Sequence, residues 1–450
     1  MAKQSKFDKL PIIHSAAAGI DVGSRFHVVS TGQSAEQTRQ FGVYTEELHE
    51  LASWLVEQGI RTVALESTGS YWQILFSILQ DYGLHPILVS GRMTKNVKGR
   101  KTDVQDAQWI QRLHALGLLS GSFLPDNQTE SLRQYVRHRQ KLQDTGNDYV
   151  RKLQKALRLM NIRLDNVLKD VVGQSGVRII QAILAGERDA ERLAELMDWR
   201  VKAERSSVVK ALTGDWRESY LFEVQQSYEL YGYLQQQIAR CDQQVEGLLL
   251  RTMEALPEDR RREVAAYAEP KKKRVNKNAP RFGIEGMAYG VLGTDLSAID
   301  GVSKSTLLVL LSEVGNNFAQ FPTAGAFASW LGLTPNNKVS GGKVLSKRTM
   351  RRSNQVSDAL KRVANVIGNL KEGALNHFFK RMAYKKGRVF AITATARKVA
   401  VIMWNMVTKQ EPVNYLTDEH YLAKIRRVKI LNIRRQMERH ALSAADLVAS

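Results

Sequence analysis

The sequence predicts an α/β N-terminal domain, a helical coiled-coil insert and a mainly α C-terminal domain. Three observations carry that reading. Up to about residue 120, short apolar runs with period-two patterning alternate with helical periods. From about 125 to 260, long Gln- and Arg-rich stretches are apolar at three-and-four spacing. After 290, helical periods return in shorter lengths punctuated by Gly and Pro. A chain of 450 residues is expected to hold two or three domains. We place their limits at 1–125, 126–258 and 289–450, with a basic linker over 259–288.

Taken in order, "AAAGIDVGSRFHVVST" reads as strand, tight turn at Gly23 and strand. "RTVALEST" is a short apolar strand, "YWQILFSILQDYG" a helix ended by Gly83, and "HPILVS" another strand. "KTDVQDAQWIQRLHALGLL" closes this part as a helix. The insert consists of two long amphipathic stretches, one beginning at "ESLRQYV" and one at "SYLFEVQQ". In the C-terminal part, "IDGVSKSTLLVLLSEVG" fits either a helix-hairpin-helix that receives a phosphate or a plain packing corner at Gly301. "TAGAFASWLGLTP", "QVSDALKRVANVIGNL", "GALNHFFKRMAYKKG" and "AITATARKVAVIMWNMV" read as helices, and "YLAKIRRVKILNIRRQMERHALS" as a basic amphipathic one.

The charge balance narrows the partner. Lys and Arg number 66 against 45 Asp and Glu, a formal surplus of +21. Such an excess favours a polyanion, because neutralised phosphates release counterions. Lys271, Lys272, Lys273 and Arg274, in the linker's "PKKKRV", are expected to touch phosphates; a short nuclear-import signal is the other reading of that motif. The single cysteine, Cys241, lies at a heptad-like position suited to a small buried residue and excludes a Cys-based zinc cluster. No apolar run is long enough to cross a bilayer, so no membrane partner and a cytoplasmic, nucleoid-associated location are expected.

Four carboxylates are candidates for chemistry. Asp21 follows the apolar start of the first strand, Glu66 ends "TVALE", and Asp103 and Asp106 open a helix. Thr102 and Gln105 form a T-x-x-Q capping box, which puts Asp103 at the first and Asp106 at the fourth helical position, on one face. Acids converging from two strands and a helix start repel one another unless a divalent cation compensates. Two Mg²⁺ ions about 3.5–4 Å apart would then polarise a phosphodiester and activate its attacking and leaving oxygens. Singly, each acid has a structural explanation: the helix dipole favours Asp103, and "GIDVGS" also suits a phosphate-binding turn of an actin-like or sugar-kinase ATPase.

The stretch "LTPNNKVSGGKVLSKRTMRR" is the second candidate. Gly341 and Gly342 lack a Cβ and allow close backbone approach to a phosphodiester. Lys338, Lys343, Lys347, Arg348, Arg351 and Arg352 can balance charge on a five-coordinate phosphorus. A serine among them can attack phosphorus and hold the broken strand as an ester. The residues alone leave Ser340, Ser346 and Ser353 open, as well as a loop with no nucleophile.

"GIDVGSRFHVVS", "ALESTGSYWQIL" and "RKTDVQDAQWIQRL" resemble the acidic blocks of the IS110/IS1111-type transposases. The stretch from "IDGVSKSTLL" through "QVSDALKRVA" resembles that family's C-terminal transposase domain. The resemblance implies a RuvC-like, ribonuclease H-like N-terminal fold with a mixed sheet and an Asp-Glu-Asp-Asp set falling on Asp21, Glu66, Asp103 and Asp106. It implies that Ser340 is the nucleophile and that acids and serine form a composite site, across protomers of a dimer or tetramer. It further implies target and donor DNA as substrates and a noncoding bridge RNA that pairs with both, so that base pairing supplies the sequence choice. Two features depart from the family pattern: the middle is longer than in compact members, and "LSKRTMRRSN" replaces the small residues usual after the loop, which bears on Ser340 versus Ser346. Two other classes use the same features: a metal-dependent junction nuclease in which water attacks, and a non-enzymatic nucleic-acid scaffold.

Overall fold

Period-two runs in the first part build a five-stranded mixed sheet, at the centre of the first of two units, Met1–Leu124 and Pro125–Ser450. The computed structural model describes residues 10–94, 102–269, 277–346, 348–349, 353–413 and 418–440. The strands are β1 (Ala17–Val22), β2 (His27–Ser30), β3 (Thr38–Phe41), β4 (Thr62–Glu66) and β5 (His85–Val89), in the order β3-β2-β1-β4-β5. Short turns join β1, β2 and β3 as an antiparallel meander. β4 and β5 run parallel to β1, which requires crossovers, supplied by α1 (Thr45–Glu57) and α2 (Trp72–Asp81).

Alternation sorts the two faces. Ala18, Ile20, Val22, Val63, Leu65 and Leu88 point one way, into a core shared with Leu48, Leu51 and Leu55 of α1 and Leu75 and Leu79 of α2. Ala64 and Val89 point the other way, against Ile110. Ile110 belongs to α4 (Asp103–Ala115), which follows the single-turn α3 (Gly91–Thr94). The sheet is therefore covered by helices on both faces, as the alternating pattern predicts.

The second unit begins with α5 (Asn127–Leu159). Four short helices follow: α6 (Leu164–Val167), α7 (Gln174–Leu184), α8 (Ala190–Glu195) and α9 (Arg205–Leu212). The chain then returns along α10 (Glu218–Glu254). With 33 and 37 residues, α5 and α10 are about 50 and 55 Å long. They are antiparallel: Gln128 bonds Thr252 at one end, and Arg139 pairs with Asp242 further along. Val224, Ser227, Leu234, Ile238, Cys241 and Val245 are buried along α10 in steps of three, four or seven, a coiled-coil seam. Cys241 sits in that seam, where burial pushes its thiol pKa up. At the far end, Ile179, Ile180, Ile183, Leu193 and Leu212 close a core with Leu153 and Leu157 of α5 and Val224 of α10. This helical head was not anticipated: α6, α8 and α9 are too short to show a period, and α7 alone is long enough for one.

The stretch read as a linker begins with a helix, α11 (Glu258–Ala266), that buries no residue. Lys271, Lys272, Lys273 and Arg274 lie outside the described residues. Beyond them come α12 (Ile284–Leu292), α13 (Lys304–Glu313), α14 (Ala324–Trp330), a two-stranded hairpin of β6 (Lys338–Ser340) and β7 (Lys343–Ser346), α15 (Gln355–Gly368), α16 (Ala374–Lys386), α17 (Arg388–Lys409) and α18 (Asp418–Arg439). α17 packs against α14, α15 and α16, with Ala396, Val399, Ala400 and Met403 buried. At Gly301 (φ 79°) an added Cβ would lie 3.1 Å from the Val363 carbonyl, and Ser303 caps α13 by accepting the Thr306 N–H. What precedes the turn is a short 3-10 segment, Leu296–Ala298, so this element is a packing corner and not a helix-hairpin-helix. Among the described residues no helix is long and apolar enough to cross a membrane.

Candidate functional site

Asp21 and Glu66 end up side by side. In the parallel pair β1–β4, Gly19 is opposite Ala64 and Ile20 opposite Leu65, so the next residue on each strand is an acid. Both belong to the face covered by α4, since Gly19 and Ala64 two positions earlier meet that helix. They also lie at the carboxyl ends of parallel strands, where open α/β sheets bind their ligands. Glu66 is anchored there: Thr94 Oγ1 donates to its Oε2 at 2.5 Å, and a Cβ on Gly91 would sit 2.6 Å from its Oε1.

The helix that brings the remaining acids begins as expected. Thr102 is the N-cap, and its Oγ1 accepts the Gln105 N–H at 3.3 Å. Asp103 and Asp106 then occupy the first and fourth helical positions. Gly19 sets how close this helix comes. A Cβ there would be 2.2 Å from the Gln111 backbone nitrogen and 2.6 Å from the Ala107 carbonyl, so the backbones of β1 and α4 nearly touch. Gln111 fastens the contact by donating its Nε2 to the Ala17 and Thr31 carbonyls, at 3.2 and 3.4 Å.

Asp21 and Glu66 thus share one face and one end of the sheet, and α4, which carries Asp103 and Asp106 in its first turn, packs on that face. Among the described residues, however, no three His, Cys, Asp or Glu side chains gather closely enough to hold a metal ion. The donor set itself is all carboxylate, the hard oxygen ligands that Mg²⁺ and Mn²⁺ take. Sequence patterning missed Thr94 and Gly91. Both follow β5 without period or charge, and only the pairing of β4 with β5 brings them to Glu66.

In the second unit, the basic serine-bearing stretch forms a tight hairpin instead of an open loop. Gly341 and Gly342 are its two central residues, with φ of 53° and 73°. Positive φ at both positions is what a type I′ hairpin turn requires. A Cβ on either glycine would meet nothing within 4 Å, so within the chain it is φ and not space that calls for glycine.

Ser340 is the last strand residue before the turn. It pairs with Lys343 and, two residues from Lys338, shares that lysine's face. Ser346 pairs with Lys338 at the base, past a register shift, and its Oγ accepts the Arg348 N–H at 3.3 Å. Ser346 also lines a cleft of about 470 Å³ with Lys338, Arg348 and Thr349. Ser340 Oγ makes no hydrogen bond among the described residues and stands exposed at the tip. Ser353 lies just before α15, next to its N-cap Asn354. Lys347, Arg351 and Arg352 lie outside the described residues.

Comparison with known proteins bears on both units. Residues 18–162 match the DEDD-type transposase family of the IS110 group, and residues 294–376 match the transposase family IS116/IS110/IS902. Together the two matches span just over half of the 450 residues. The first runs past the sheet unit and through α5; the second covers the hairpin. No curated protein matches the chain. The mixed sheet with its helices is consistent with a RuvC-like DEDD domain, and that domain type suggests dependence on a divalent metal.

Proposed function

The chain belongs to the IS110 family of transposases, DNA-processing enzymes, and from that premise we propose that it cleaves and rejoins DNA through a phosphoserine ester at Ser340. The observation that carries this reading is the placement of Ser340 at the last position before two positive-φ glycines, paired with Lys343 and on the face of Lys338. A phosphodiester reaching the tip meets a hydroxyl and two ammonium groups, with no side chain on the turn itself to obstruct it.

In the step we propose, Ser340 Oγ loses its proton to solvent or a neighbouring base and bonds to phosphorus. The bond from phosphorus to one sugar oxygen breaks, and that oxygen takes up a proton. One phosphate ester replaces another, so the bond energy is kept for rejoining when a different DNA hydroxyl displaces the serine. Lys338, Lys343 and Arg348 stabilise the extra negative charge as it builds on the phosphoryl oxygens, and Lys347, Arg351 and Arg352, close by in sequence, add to the positive charge of this stretch. Asp21, Glu66, Asp103 and Asp106 would hold divalent cations, Mg²⁺ by the hardness of the donors, which when bound polarise the phosphodiester. Asp21 and Glu66 supply ligands from adjacent strands, and Gly19 and Thr102 fix the helix bearing the other two.

The positive surplus suits two nucleic-acid partners, and the proposal includes both. Target and donor DNA are the substrates, and a structured bridge RNA pairs with each, so that the chain itself reads shape and charge. Lys271, Lys272, Lys273 and Arg274 belong to this backbone-contacting set. The proposal also includes a composite site of acids and serine, completed within a homodimer or tetramer.

A nicked DNA that cannot religate tests the reaction. The wild-type chain is expected to retain one strand covalently on a denaturing gel, and Ser340→Ala is expected to bind DNA without retaining it. Free ends with no attached protein would replace this reading by direct water attack.

A further inference from the structure

A cleft of about 880 Å³ lies between α16, α17 and the base of the β6–β7 hairpin. Its charged lining is entirely cationic: Arg348, Lys386, Arg397 and Lys398, with no carboxylate among the described lining residues. Its remaining wall is mostly apolar, with Thr349 and Thr393 among the lining residues, and includes two aromatic rings, Phe378 and Phe390. Lys398 Nζ lies 4.7 Å from the Phe378 ring centre and Lys386 Nζ 4.8 Å from that of Phe390, so each ring already has a cation beside its face. Phe390 is 43% and Val389 81% exposed, so this apolar wall is open to solvent.

We propose that this cleft binds an unpaired segment of DNA, whose bases stack on Phe390 and Phe378 while its phosphates lie against Lys386, Arg397, Lys398 and Arg348. A duplex offers phosphates but keeps its base faces in the stack, leaving the rings and Val389 in water. An apolar peptide would cover the rings but offer no charge complementary to the cationic part of the lining. Unpaired nucleic acid presents both a polyanionic backbone and flat apolar faces.

The choice of DNA rests on the reading of Ser340 as nucleophile. Pro335 and Thr349 form the bridge that closes the hairpin, and both also line the cleft. A strand held there continues onto the hairpin whose tip carries Ser340. The cleft then grips DNA opened next to the phosphate to be cut, and so favours melted over paired ends. Residue patterning gave no sign of it, because Phe378, Phe390 and Lys398 come from two helices and only their packing brings them together.

The full-length chain can be titrated with one labelled oligonucleotide in three forms: single-stranded DNA, its duplex, and RNA of the same sequence. Phe390→Ala and Lys398→Gln are each expected to weaken single-stranded DNA about tenfold and duplex less than about twofold. Phe390→Tyr, which keeps a ring, is expected to bind as the wild type does. Unchanged melting of the variants separates lost contact from lost fold. Equal weakening of duplex and single strand, no weakening, or weakening confined to RNA would each overturn the proposal. Covalent trapping at Ser340 is scored in parallel. Retained trapping with unaltered single-strand binding by the variants removes the cleft alone. Selective loss of single-strand binding in a chain that never forms the serine adduct keeps the cleft and removes the serine chemistry.

Discussion

A β-carbon on Gly19 would lie 2.2 Å from the backbone nitrogen of Gln111. The first strand and the helix that begins at Asp103 are therefore in backbone contact, and the distance between the acid on the strand and the acids on the helix depends on one missing methyl group. Gly19→Ala is expected to push the helix outward, at a cost of about 1–3 kcal/mol, and to reduce DNA cleavage more than it reduces DNA binding. Gly232→Ala, where a Cβ meets nothing, is the matched control and is expected to be neutral or slightly stabilising. Cleavage unchanged in Gly19→Ala would remove this contact from the arrangement of the site.

Thr94 holds Glu66 through a 2.5 Å hydrogen bond. Thr94→Val keeps the shape and loses the donor. The supporting partners of metal ligands commonly contribute 10–100-fold in affinity, so the Mg²⁺ concentration for half-maximal cleavage is expected to rise about tenfold. A metal titration of cleavage measures this, and an unshifted midpoint would mean that the Thr94 hydrogen bond does not tune the cation site.

Arg137 grips Glu313 with two hydrogen bonds, Nε to Oε1 and Nη2 to Oε2, each 2.8 Å, while Arg133 Nη2 donates to the Glu313 carbonyl at 2.8 Å. The Glu313 side chain is 8% and that of Arg133 10% exposed, so removing the carboxylate leaves a buried cation short of a partner. Glu313→Ala is expected to destabilise the packing of α13 on α5 by about 3–5 kcal/mol, and Arg137→Ala, at a half-exposed position, by about 1 kcal/mol. Amide exchange along α13 is the appropriate readout, because a chain of two units need not unfold in one step.

His114 is buried against Thr62 in the sheet unit, and burial, with His14 beside it, lowers its pKa from 6.5 to about 4. The unfolded chain therefore takes up a proton near pH 6.5 that the folded one refuses until about pH 4. Stability of this unit is then expected to be constant above pH 6.5 and to fall as pH drops toward 4. The loss is on the order of 2 kcal/mol, less than a fully dry site would give. Melting temperatures across this range should fall in the wild type and fall less in His114→Gln; parallel curves would exclude the histidine as the cause.

Much of this architecture is legible in the residues, for reasons that differ by element. Apolar alternation in "AAGIDV" and "TVALE" exposes the strands, and the T-x-x-Q pattern before "DAQWI" sets the start of α4 and the positions of its acids. The hairpin is less visible, because six cations in "LTPNNKVSGGKVLSKRTMRR" give the look of a solvated loop. "KVSGGKV" nevertheless carries a two-glycine turn between alternating residues, which is a hairpin signal. Thr94 and the aromatic cleft are invisible for a different reason: each exists only where elements distant in sequence pack together. The helical head at the end of α5 and α10 escapes as well, its short helices being defined by their shared core.

The proposed reaction depends on Ser340 becoming bonded to DNA. The most direct measurement is proteolysis of the trapped protein–DNA adduct followed by mass spectrometry of the peptide that carries the nucleotide remnant. A remnant on Ser340, at the tip beside Gly341, is expected. A remnant on Ser346 or Ser353, or cleaved DNA with no peptide attached, would contradict it.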